Sequence, residues 1–215
     1  QVAEAIPACR RAVELEPDNA SYHFNLAHSL LLSGDYAEGW QEYEWRLKTA
    51  QLTPMSFSQP IWAGEEIGGR VLLLVYEQGF GDTLQFIRFA PKLKALCKKL
   101  IFSGHEALAP LIAEQFDCFD DVINEEGPFK AHYVTSPLSA AAVLETTYKD
   151  ITGEPYMTAK PMKLPARGKI KVGLSWKGSP GYARDHDRSA RLADLCPLLD
   201  VPGVAFYSLQ VRPGP

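Results

Sequence analysis

The chain has 215 residues, room for one domain and a smaller companion. Its 46% apolar and 22% charged residues allow a sizeable core and exclude wholesale disorder. A net charge of −4 leaves no electrostatic footprint for nucleic acid or an anionic membrane surface.

Residues 1–50 repeat themselves. A shift of about 34 residues, the period of tetratricopeptide helix pairs, brings Val2 onto Tyr36, Ala3 onto Ala37, Glu4 onto Glu38, Ile6 onto Trp40 and Cys9 onto Tyr43. Ala5, Cys9, Ala12 and Pro17 fit the end of one repeat, and Leu26, Ala27, Leu30 and Gly34 the start of the next. Pro17 ends one helix before Asp18-Asn19 caps the following one. The second repeat departs from the pattern late, where Gly39, Arg46 and Gln51 replace a small residue, a small residue and proline. A helical pattern already under way at residue 1 suggests upstream sequence, so this stretch reads as the end of a longer repeat array. Residues 51–69 are a connector without helical or strand period, in which Phe57 and Trp62 are expected to pin the repeats to the next domain.

Residues 70–160 alternate strand and helix. Val71 to Tyr76 is a continuous apolar run, the habit of a strand covered on both faces. Gly79 and Gly81 let the backbone turn sharply. Leu84, Ile87, Leu93 and Leu96 then mark one buried helix face. Further strands are expected at Lys99–Ser103, Val122–Ile123 and Ala131–Val134, with helices at His105–Gln115 and from Ser136-Pro137. This rhythm implies an α/β fold with a doubly wound parallel sheet. A proline-rich linker over 155–168 leads to a second unit, 168–215. It has a strand at Lys169–Trp176, a polar loop, a helix at Ser189–Leu199 capped by Ser189, and a strand at Val204–Gln210. That unit is about the size of one βαβ element and looks cut short.

Two turns could carry chemistry. In Gly79-Phe80-Gly81-Asp82, the acid sits where open α/β sheets bind ligands and could take a proton from a hydroxyl. The backbone N–H groups of the same turn could hold an anion. Asp82 and Gln85 also have the spacing of a capping box, which needs no chemistry at all. Glu77 and Gln78 beside it are equally ambiguous. The second turn, Trp176-Lys177-Gly178-Ser179-Pro180-Gly181, continues to Arg188; Lys177, Arg184 and Arg188 would meet a diphosphate at the following helix. The bland alternative is a charged, solvated loop. The four cysteines, Cys9, Cys97, Cys118 and Cys196, form no Cys-x-x-Cys pair, and no histidine pair has ligand spacing. Free thiols in a reducing compartment and no metal are therefore expected. No stretch reaches the ~20 apolar residues of a membrane span, and no signal-peptide pattern opens the chain, which points to the cytoplasm.

Several segments together carry a family resemblance. They are Phe57-Ser-Gln-Pro-Ile-Trp-Ala-Gly-Glu65, Glu77-Gln-Gly-Phe-Gly-Asp-Thr-Leu-Gln-Phe86, Gly173-Leu-Ser-Trp-Lys-Gly-Ser-Pro180, Asp187-Arg-Ser189 and Phe206-Tyr-Ser-Leu-Gln210. The chain resembles bacterial tetratricopeptide-repeat proteins with a heptosyltransferase-like glycosyltransferase domain. The resemblance implies a GT-B layout of two Rossmann-like domains, acceptor on the first and nucleotide-sugar donor on the second. It implies that Asp82, in Gly81-Asp82, is the base for the acceptor hydroxyl, with Gln78, Gly79, Gly81 and Thr83 on the substrate. Lys177, helped by Arg188 and Ser175, would hold donor phosphates. The nucleotide-sugar is a substrate, and no separate cofactor is implied. The repeats would recruit a protein partner or protein acceptor. The family's Asp-Thr-Ala-x-x-His-Leu-Ala-Gly type segment does not occur here and would lie beyond residue 215, so most of the donor site is expected outside this stretch. The competing reading is a non-catalytic interaction scaffold on a degenerate glycosyltransferase fold. Dinucleotide redox chemistry is disfavoured because Leu84 stands where a third glycine belongs.

Overall fold

The computed structural model describes residues 2–49, 57–123, 130–161, 164–165, 170–178, 181 and 184–210. Expectations resting on Gln51, Gly168, Lys169, Ser179 and Pro180 lie outside the described residues. The chain forms two compact units, Gln1–Thr158 and Ala159–Pro215.

In the first unit, helices α1 (Val2–Leu15), α2 (Ala20–Ser33) and α3 (Tyr36–Tyr43) lead into a 3₁₀ turn, Glu44–Lys48. Asn19 caps α2 by accepting the N–H groups of Ser21 and Tyr22. Gly34 ends that helix at φ +92°, a left-handed geometry that suits glycine. Gly39 has a packing reason as well: a Cβ there would lie 2.8 Å from Leu31 Cδ2, so the close approach of α2 and α3 requires its absence.

The sheet contains β1 (Val71–Val75), β2 (Lys99–Ser103), β3 (Asp121–Ile123) and β4 (Tyr133–Thr135), all parallel, in the order β3-β2-β1-β4. Leu72, Leu73 and Leu74 are at most 1% exposed, so both faces of β1 are covered, as its unbroken apolar run requires. Leu72 and Leu74 pack with Leu93, Leu100, Phe102 and Ile112, while Leu73 and Val75 pack with Val134 on the other face. Each such side chain contributes about 1.5–3 kcal/mol.

Between β1 and β2 the helix is not continuous. It divides into α4 (Phe80–Phe86), a 3₁₀ turn at Ile87–Phe89 and α5 (Ala90–Leu96). Pro91 has no N–H to continue the i→i−4 ladder, which breaks the helix at that point. The break also rotates the expected face: Ile87 and Leu93 are buried, but Leu96 is 43% exposed. Helix α6 (Ala109–Gln115) begins four residues later than its pattern suggested, leaving His105 in the loop before it. Helix α7 (Pro137–Val143) starts where the sequence placed it, with the Ser136 hydroxyl accepting the N–H of Ser139.

The connector does have a structural partner. Ile61 bridges Val134 in parallel, Trp62 N–H donates to Val134 O, and Val134 N–H donates to Pro60 O. Trp62 and Phe57 join the apolar clusters of the sheet rather than reaching back to the repeats. The repeats are fastened instead by Trp40, which packs on Phe89 and Ala141 and donates its indole N–H to Thr146 O at 2.8 Å. Repeats and sheet are thus one compact unit.

In the second unit, β5 (Ile170–Leu174) and β6 (Val204–Ser208) pair in parallel, joined through α8 (Leu192–Leu199). Ser189 does not cap α8. Arg191 takes that position and Asp194 reaches back to its N–H, while Ser189 Oγ accepts from Gly178 N–H at 2.9 Å. Helix α8 buries no residue among the described residues.

The four cysteines are free. Burial raises the thiol of Cys97 and pushes that of Cys118 up to about 11, whereas Cys196 is exposed. Iodoacetamide at pH 8 is expected to alkylate Cys196 well before Cys97 and Cys118, because the thiolate is the nucleophile. Mass mapping of the modified peptides checks the order.

Candidate functional site

The sheet order places a topological switch point between β1 and β4, where open α/β sheets bind ligands beyond their strands' carboxyl ends. Glu77 follows β1 and Ser136 follows β4, so both reach this crevice. The repeats reach it too. Arg46, in the 3₁₀ turn after α3, is 0% exposed and Glu77 is 6% exposed. Arg46 donates from Nε to Glu77 Oε1 at 2.8 Å and from Nη2 to Glu77 Oε2 at 2.7 Å, a bidentate fork. It donates further to Ser139 Oγ at 2.7 Å and to Glu44 Oε1 at 2.5 Å. The Ser136 hydroxyl donates to Glu77 Oε2 at 2.6 Å. Burial opposes the charge on Glu77, but Arg46 and Ser136 outweigh it and hold the carboxyl below its ordinary value. Burial likewise opposes the Arg46 charge, and Glu77 and Glu44 outweigh it.

The next residue makes the sharp turn. Gln78 has φ +63°, whereas Gly79 is extended at φ −95°. The left-handed step expected of a glycine therefore falls on glutamine, at a cost of about 1–3 kcal/mol. Two contacts hold it: Gln78 Nε2 donates to Glu77 Oε1 at 3.4 Å, and its carbonyl meets His105 Nε2 at 3.3 Å. Burial raises the Tyr43 phenol, with the Arg46 charge acting in the other direction. Tyr76 and Phe80 close around the His105 ring, at 4.0 and 4.6 Å between centroids.

Asp82 is half-buried at the third position of α4, and its Oδ2 accepts the Gly79 N–H at 3.0 Å. It reaches back to the helix start rather than standing before the helix with Gln85 as its pair. A Cβ at Gly79 would sit 3.3 Å from that oxygen, so glycine permits the approach. Nothing among the described residues bonds Asp82 Oδ1. Gln78, Gly79 and Gly81 are exposed on the same turn. Thr83 is different: it is 0% exposed, and its buried hydroxyl has no partner among the described residues, so it faces the interior rather than a ligand.

In the second unit, Ser175, Trp176, Lys177, Gly178, Arg188, Ala190 and Leu195 line one hollow of about 410 Å³ beyond the carboxyl end of β5. Gln210 holds two of the lining residues, accepting the N–H groups of Trp176 and Lys177 at 3.1 and 2.8 Å through Oε1. Gly178 allows close packing: a Cβ there would lie 2.4 Å from Asp185 Oδ1 and 2.6 Å from Arg188 Nε. Arg188 also pairs with Asp185 at 3.3 Å.

Sequence reasoning did not assign Tyr43, Arg46, His105 or Ser136 to a site. Arg46 carried a signal, as a charged residue where the repeat pattern expects a small one. His105 carried none.

Comparison with known proteins bears on both ends of the chain. Residues 8–41 match the tetratricopeptide repeat family. Protein FlbA of Caulobacter vibrioides is 31% identical over 242 aligned residues, covering 98% of this chain and 41% of FlbA. The chain therefore spans less than half the length of that relative. No solved structure matches it. The repeat supports a role in protein–protein interaction, since stacked repeats present an extended surface to partners. No helix among the described residues is long and apolar enough to cross a membrane.

Proposed function

We propose that the chain belongs to a glycosyltransferase-like protein of GT-B layout. It would pass a sugar from a nucleotide donor to a hydroxyl acceptor by direct displacement without a metal. The observation that carries this reading is the clustering of Ser175, Lys177 and Arg188 around one hollow at a strand's carboxyl end. Two cations and a hydroxyl at such a position suit a diphosphate. Asp82 serves as base: Oδ2 caps the turn and Oδ1 is left to accept the proton of the acceptor hydroxyl. Gln78, Gly79 and Gly81 line the acceptor side, and the repeats recruit the acceptor protein.

Titrating UDP, GDP and CMP into the full-length protein tests the donor side. At least one should bind, and Lys177→Met should weaken it by about 10–100-fold, the loss of one charge-assisted bond. A folded protein that binds none of them would instead support the second reading, a protein-interaction scaffold. A specific observation favours that alternative: at the β1–β4 switch point the Glu77 carboxylate is already neutralised by Arg46.

A further inference from the structure

The repeats enter the crevice of the sheet, and the residues they send there do more than join two modules. Arg46 grips both oxygens of Glu77, and Glu77 bonds the Gln78 side chain. Gln78 is the residue held at φ +63°, and the next N–H, that of Gly79, is the one bonded by Asp82. A strained backbone persists only where its surroundings over-determine it, and one of the groups that do so here, Glu77, is held by the repeats. We propose that Arg46 is a positioning residue for the Gln78–Asp82 turn, so that the docked end of the repeat array sets the orientation of the Asp82 carboxylate. This goes beyond recruitment: the repeats complete the acceptor-side site. Its consequence for catalysis rests on the reading of Asp82 as base, whereas the structural coupling does not.

Amide hydrogen exchange on the full-length protein tests it with two variants that keep the fold by different means. Glu77→Gln keeps the shape of the side chain and removes the carboxylate that Arg46 grips. Arg46→Lys keeps the charge but cannot form the fork. Both should speed exchange at Gly79–Asp82, by about threefold and about tenfold, while β2 and α7 keep their protection. In an assay of sugar transfer, kcat should fall in both while the donor KM stays unchanged. Wild-type exchange rates at the turn in both variants would overturn the proposal. So would acceleration spread evenly over the first unit, which would mark the residues as general scaffold. If exchange changes as expected but no transfer is found in the wild-type protein, the coupling stands and the base assignment falls.

Discussion

Arg46→Ala should destabilise the first unit by about 3–5 kcal/mol, because it strands the Glu77 carboxylate in a site only 6% exposed. The pair itself is worth far less than its removal costs, since both charges give up hydration to form it. Arg46→Met/Glu77→Met, which replaces both ions with apolar groups of similar length, should therefore lie within about 2 kcal/mol of wild type. Urea unfolding followed by tryptophan fluorescence measures both, with Trp40 and Trp62 buried in this unit. A single variant as stable as the double one would show that water reaches Glu77. The same carboxylate sets an acid limit. Its value in the folded chain lies below its ordinary 4.5, so its stabilisation is fully present above that pH. It fades as pH falls through the lowered folded value. Glu77→Gln should flatten the acid limb of the stability profile at a cost in stability near neutrality.

The second large effect belongs to Asp82. Asp82→Asn keeps an oxygen for the Gly79 N–H but has no basicity, so it separates the cap from the base. Sugar transfer by the full-length protein should fall about 10²–10⁴-fold, the usual worth of a general base. Stability should change by only a few tenths of a kcal/mol. Asp82→Ala should lose the same activity and a further ~1 kcal/mol of stability, as the turn loses its acceptor. Full turnover in the asparagine variant would reduce Asp82 to a helix cap. Chemical denaturation run beside the kinetics keeps the two roles apart.

Much of the architecture was legible because its causes are local. The apolar run Val71–Tyr76 read as a strand covered on both faces, and β1 spans Val71–Val75, while β2 runs over the residues its pattern marked, Lys99–Ser103. Asn19, Gly34 and Ser136 cap helices through their own chemistry, within a few residues of where they stand. Local signals failed where a neighbour from elsewhere in the chain took over. Gly79 and Gly81 looked like the sharp turn, yet the positive φ falls on Gln78, held by Glu77 and His105. Ser189 looked like a cap, yet it accepts from Gly178, eleven residues away. Thr83 sat inside a motif, but the packing of α4 turns it inward.

The sequence by itself determined the order of helices and strands, the repeat and the two glycine-bearing turns, because periodicity and capping act over distances shorter than one element. Only the tertiary structure decided that a repeat residue, Arg46, would fill the switch point of the sheet against Glu77, 31 positions away. No local pattern encodes that pairing: a charged side chain can be fully buried only where the fold delivers a counter-charge and further hydrogen-bond acceptors to the same place.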